Sequence, residues 1–211
     1  MNKFFSNHFL RKKREGIATR DMVRGFTLIE LLVVIGIIAI LAVVVILTIN
    51  PAELLRQARD SSRISDLGTL RAALSLYLAD VNTPVLAGSY TACYQSNFLS
   101  GAANCGVFTN NISSYSPATS TTYRKVDGNG WITVNFNSMS SGAPIGTLPV
   151  DPVNDATYYY AYAASSTLVF EIDANMESNR YKNGGTNDVE SKDGGDQSTF
   201  YEVGTAPGLS L

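Results

Sequence analysis

Histidine is nearly absent from this chain of 211 residues, and cysteine occurs only twice. The single histidine, His8, lies in a basic N-terminal stretch, so no imidazole serves the rest of the sequence. Cys93 and Cys105 have no Cys or His companions, which argues against a zinc site. No nucleophile–base pair and no glycine-rich phosphate loop after a strand can be assembled, so the sequence argues against an enzyme. Basic residues are also scarce once the N-terminus is set aside. The first 25 residues hold seven of the 16 Lys/Arg and two of the 18 Asp/Glu. The formal charge of −2 therefore hides a remainder with nine basic and sixteen acidic residues, near −7. Such a remainder does not look like a general nucleic-acid binder, which would carry a basic patch.

What the chain does have is one long apolar run. Gly25-Phe26-Thr27-Leu28-Ile29-Glu30 continues into Leu31-Leu32-Val33-Val34-Ile35-Gly36, and residues 26–49 contain a single charge, Glu30. As a helix these 24 residues would reach about 36 Å, enough to span a bilayer with some tilt. A carboxylate inside such a segment is expensive in lipid and is by default functional. Upstream, Lys3, Arg11, Lys12, Lys13, Arg14, Arg20 and Arg24 would stay cytoplasmic. An ordinary secretory signal would have a shorter apolar core and a small-residue cleavage site after it, and neither is present. A plain single-span anchor explains neither Glu30 nor Gly25.

At these residues the chain resembles the type IV pilin and pseudopilin family, whose precursors carry a basic leader, a G|FTLIE junction and an apolar helix. The resemblance implies that a prepilin peptidase cuts between Gly25 and Phe26 and methylates the new amino group of Phe26. It implies that Glu30 serves assembly into a helical filament with copies of the chain or other pilins, on an inner-membrane platform. The precursor would then be a single-pass protein of the cytoplasmic membrane, with its leader cytoplasmic and its mature domain extracytoplasmic. Phe26 and Glu30 are four residues apart, so the new amine and the carboxylate could pair within one helix, or across two subunits. A subunit out of register would leave both charges unpaired.

The organisation follows as a leader at 1–25, a transmembrane and assembly helix at 26–50, an amphipathic helical half at 51–82 and a loop-rich globular domain at 83–211. The expected fold class is α+β, a long N-terminal helix packed on a small antiparallel sheet. Asn50-Pro51 predicts a kink. Beyond it Leu54, Leu55, Ala58, Leu67, Leu70, Leu74, Tyr77, Leu78 and Val81 recur at spacings of three and four, while Arg56, Arg59, Asp60, Arg63, Asp66 and Arg71 form a face expected to be solvated. Pro84 should end this helix near Asn82.

Residues 83–128 read as loop, with short helical pieces around 95–99. In an oxidising compartment Cys93 and Cys105 favour a disulfide over two buried thiols, closing a loop worth about 3 kcal/mol. Trp131 to Phe136 alternates as a half-buried strand after the turn Asp127-Gly128-Asn129-Gly130. Residues 157–162 and 167–172 read as a hairpin, with Tyr158, Tyr160 and Tyr162 on one face in a packing role.

Leu148-Pro149-Val150-Asp151-Pro152, followed by Tyr158-Tyr159-Tyr160, is similar to the segment before the sheet of the major pseudopilins of type II secretion. Those proteins also carry a calcium-binding loop late in the chain. Here the oxygen-rich stretch 173–196 offers Asp173, Asn175, Asn187, Asp188, Asp193 and Asp196 as calcium ligands, with glycines that would let carbonyls turn inward. It does not match the EF-hand pattern, and a solvated acidic loop is the competing reading. The functional expectation is a prepilin subunit of a type IV pilus or of a type II secretion-like pseudopilus. The alternative is a membrane-anchored extracytoplasmic binding domain that does not polymerise.

Overall fold

The computed structural model describes residues 25–97, 105, 108, 114–116 and 121–211. The expected leader up to Arg24 and the second half of the expected 95–99 helical piece lie outside them. The chain divides into two compact units, Met1–Thr48 and Ile49–Leu211.

Helix α1, Leu28–Ile49, is apolar apart from Glu30 and Thr48, and its described large side chains are exposed. A helix of this kind needs apolar surroundings. The stretch Leu28–Ile46, with a mean hydropathy of 3.3, is long and apolar enough to cross a membrane. The helix stops at Asn50, which takes φ 46°, a left-handed value that asparagine tolerates. Its side chain accepts a hydrogen bond from the Glu53 N–H, and Pro51 follows at the first helical position, where its missing N–H costs nothing. Together they start α2, Pro51–Asp80. Val81 ends it in extended backbone, one residue before the expected limit.

The sheet is larger than the sequence suggests. Five strands, β1 (Ala92–Gln95), β2 (Ser114–Ser116), β3 (Tyr160–Ala164), β4 (Phe170–Ala174) and β5 (Tyr201–Gly204), stand in the order β2-β1-β3-β4-β5. The fold is α+β, as expected, with four antiparallel strands; β2 joins them by pairing parallel to β1. Two expectations are corrected here. Residues 83–128 are not loop alone, since they supply β1 and β2, and Gln95 is strand rather than helix. Residues 131–136 are not a strand: their one ladder contact is an Asp127–Asn135 bridge, and Phe136 opens a short 3₁₀ turn. Trp131, Ile132, Val134 and Phe136 are all buried, so this segment is a core filler whose N–H groups of Trp131 and Phe136 bond to the carbonyls of Tyr123 and Val126. The β3–β4 hairpin appears as expected, two or three residues later at each strand, and closes through Ser165 N–H to the Val169 carbonyl at 2.8 Å.

One sheet face packs on α2. Leu67, Leu70, Ala73, Leu74 and Tyr77 meet Tyr160, Tyr162, Phe170, Ile172 and Val203 in the main core. Each large apolar side chain buried this way contributes about 1.5–3 kcal/mol relative to exposure. Tyr160 and Tyr162 keep their hydroxyls satisfied on Asp66 and on the Leu86 carbonyl, at 2.8 and 2.7 Å. Leu54 and Leu55, expected in the packed stripe, are exposed. The other sheet face carries Cys93, Ala161 and Ala163, with Cys105 and Phe108 over them. Cys93 and Cys105 are joined in a disulfide.

The supposedly solvated charged face of α2 is corrected most sharply. Asp60 and Arg63 are fully buried. Arg63 forks onto Asp151 (Nε–Oδ2 2.6 Å, Nη2–Oδ1 2.9 Å), reaches Asp60 at 2.7 Å and Glu177 at 2.6 Å, and lies over the Tyr158 ring at 5.1 Å. Arg59 closes a second fork on Glu177. Asp60 also accepts the N–H groups of Glu177 and Ser178. The planar guanidinium suits this bidentate role, and burial is tolerated because its partners are charged and hydrogen-bonded.

Candidate functional site

Two places hold the residues that the sequence singled out. The first is the start of α1. Thr27 precedes the helix, and its N–H and Oγ1 both donate to Glu30 Oε2, at 2.8 and 2.7 Å. The Glu30 N–H returns a bond to Thr27 Oγ1 at 3.3 Å. This is a capping box, in which threonine and glutamate three residues apart satisfy each other's orphan donors. The Thr-x-x-Glu spacing of Thr27 and Glu30 is the sequence signal of this cap, and it gives Glu30 a partner besides the expected amine. Phe26 is 78% exposed, and a side chain at Gly25 would meet nothing within 4 Å.

The second place is the acidic C-terminal region, and the structure does not gather the six expected ligands. Asp188 is a turn residue: it accepts from the Gly184 N–H and from the Ser191 N–H and hydroxyl. Those bonds, the Ser191 hydroxyl foremost, hold its pKa down to about 2. Asp193 accepts from the N–H groups of Gly195 and Glu202. Asn187 and Asp196 are exposed, and Asn175 is half-buried. Asp173 has a different neighbourhood. It lies on β4 with Glu171 two residues before it and Glu202 opposite it on β5, all on the face away from α2. Each of the three is about 1% exposed, and each offers a carboxylate oxygen within 4.8 Å of the others. Glu171 and Glu202 were missed because a single glutamate among strand residues reads as a solvated outward position. Only the pairing of β5 with β4 brings them together.

Burial and mutual repulsion govern this trio. Burial foremost, then Glu202 and Asp196, push the Glu171 carboxyl up; burial and the surrounding carboxylates do the same to Asp173. Burial also raises Glu202, against the bond from the Gln197 N–H.

Residues 20–46 match the family model for the prokaryotic N-terminal methylation motif. No curated protein and no solved structure matches the chain. The matched residues include the Gly25–Phe26 junction and the capped Glu30, and they support an N-terminus of the pilin and pseudopilin type. The motif points to a structural subunit rather than an enzyme, and implies processing by a prepilin peptidase and assembly with other pilins in general. With the apolar α1 it fits a membrane-anchored precursor.

Proposed function

We propose that this chain is a prepilin cut after Gly25, methylated on Phe26 and assembled through α1 as a subunit of a type IV pilus or a type II secretion-like pseudopilus. The observation that carries the reading is α1 itself, a long apolar helix whose described large side chains are exposed and which holds one carboxylate, Glu30, in its first turn. Lipid would cover it in the precursor, and neighbouring helices in a filament. The Gly25–Phe26 junction supports the reading from another side, since it lies inside the stretch that matches the N-terminal methylation motif. Removing residues 1–25 would place a charged amine one residue before Thr27, within reach of Glu30 or of its counterpart in the next subunit. The remaining domain would then lie outside the cytoplasmic membrane, where the Cys93–Cys105 bond persists. The Pro149–Pro152 segment does not separate pilus from pseudopilus, because Asp151 has a structural task in holding Arg63.

Mass spectrometry of the filament or membrane fraction tests the proposal. The expected result is an N-terminus at Phe26 carrying one methyl group. An intact leader in assembled material would refute the processing step, and a mature protein that never leaves the monomeric state would favour the anchored binding domain instead.

A further inference from the structure

We infer that Glu171, Asp173 and Glu202 form a cation site on the sheet face away from α2, and that the ion it takes is calcium. An acidic trio alone would mean little, but this one is buried and underused. Glu171 Oε2, both oxygens of Asp173 and Glu202 Oε1 are buried without a hydrogen-bond partner. Four orphaned carboxylate oxygens in one place are costly, because a buried polar atom should find a partner and a buried charge should find a counter-charge. Among the described residues no ion pair reaches any of the three. The charges that act on Glu171 and Asp173 are those of Glu202, Asp193 and Asp196 and of each other, all negative. Opposed like charges on neighbouring strands destabilise a sheet, and Asp173 and Glu202 stand directly opposite.

The surroundings hold the trio in place rather than relieve it. The Gln197 N–H fixes Glu202 Oε2 at 3.0 Å and leaves Oε1 free. The Leu211 N–H bonds to Glu171, whose Oε2 has no partner. The contact between the Glu171 and Glu202 carboxyls is favourable only while one of them holds a proton, which an ion would displace. Gly195 lies against the Glu202 carboxylate so closely that an added Cβ would collide with it. Ligand atoms within 4.8 Å of one another can all touch a single ion at about 2.3–2.6 Å, the calcium–oxygen distance. The donors are hard oxygens only, which disfavours zinc and copper. Magnesium keeps several waters in a strict octahedron, and a site about 1% exposed leaves little room for them. Calcium accepts several carboxylate oxygens, mono- or bidentate, in loose geometry. The site stands whether or not the chain polymerises.

The test uses the full-length protein in detergent micelles, stripped with a chelator and titrated calorimetrically with calcium chloride and, in parallel, magnesium chloride. One saturable calcium site is expected, with magnesium at least tenfold weaker and a higher melting temperature in calcium. Asp173→Asn and Glu202→Gln should each weaken calcium at least tenfold, yet melt no lower than the parent in chelator, since each removes a buried negative charge. Glu171→Gln serves if either variant fails to fold. Asp188→Asn, in a turn apart from the trio, should keep the parent affinity. No saturable binding, or calcium lost in Asp188→Asn and retained in Asp173→Asn, overturns the assignment.

Discussion

Arg63 and Asp151 meet in a two-pronged ion pair with neither side chain exposed, across 88 residues of chain. The pair fastens the first half of α2 to the turn before β3, where Asp151 also accepts the N–H groups of Val153 and Asn154. Asp60 and Glu177 complete the ring around the guanidinium.

The losses on removing the two partners should not add. Arg63→Met leaves the buried Asp151 without a counter-charge, takes one partner from Asp60 and from Glu177, and should cost about 3–5 kcal/mol in denaturant unfolding. A double variant, Arg63→Met with Asp151→Asn, should lose less than the sum of the two single losses. Additive losses would mean that the two side chains do not act as a pair.

Acid and alkali should each weaken the metal-free protein, through different carboxylates. Glu177, bonded first to Arg59 and then to Arg63, has its pKa depressed to about 2. Its contribution is complete above the ordinary glutamate value of 4.5 and disappears as the pH falls through about 2. The Glu171 and Glu202 pKa values are raised, to about 9 and about 7, so their contribution is complete below 4.5 and disappears as the pH rises through those values. Melting temperature against pH should therefore peak in the mildly acidic range. Glu177→Gln should flatten the acid limb and Asp173→Asn the alkaline limb; a curve unchanged by both substitutions would refute the assignment of the limbs.

The capping box and the assembly role of Glu30 are separable. Thr27→Val removes the hydroxyl bonds to Glu30 but leaves the carboxylate; Glu30→Gln keeps the side chain's shape and removes its charge. Both proteins should insert in the membrane. Only Glu30→Gln should lose incorporation into filaments, scored by electron microscopy and by sheared-fraction blots. Equal loss in the two variants would reduce Glu30 to a helix cap.

What could be read from the sequence was whatever repeats locally. α1 and the lower half of α2 announce themselves by length and by the spacing of Leu67, Leu70, Leu74 and Tyr77. The β3–β4 hairpin shows in its Tyr and Phe residues and in the short Ser165-Ser166 turn. The strands that escaped notice are three or four residues long, and β1, β2 and β5 become strands only through partners far along the chain. Trp131 to Phe136 misled for the opposite reason: alternation suggests one wet face, yet Ile132 is as dry as Trp131. Burial of Arg63 was hidden because a charged helix face looks the same in sequence whether water or three carboxylates answer it. The trio on β4 and β5 was hidden by register, which pairs Asp173 with Glu202 and leaves the glycine of Gly204 opposite Glu171.

The buried guanidinium also sets an order of events during synthesis. A ribosome finishes α2 long before it reaches Asp151, and Glu177 comes 114 residues after Arg63. Until then Arg63 stays in water, and the helix around it cannot be sealed. Closing such distant contacts is slow compared with winding a helix. The young chain is thus a tethered helix waiting for its lock, and the late elements, from β4 through β5, decide when the domain becomes resistant to proteases.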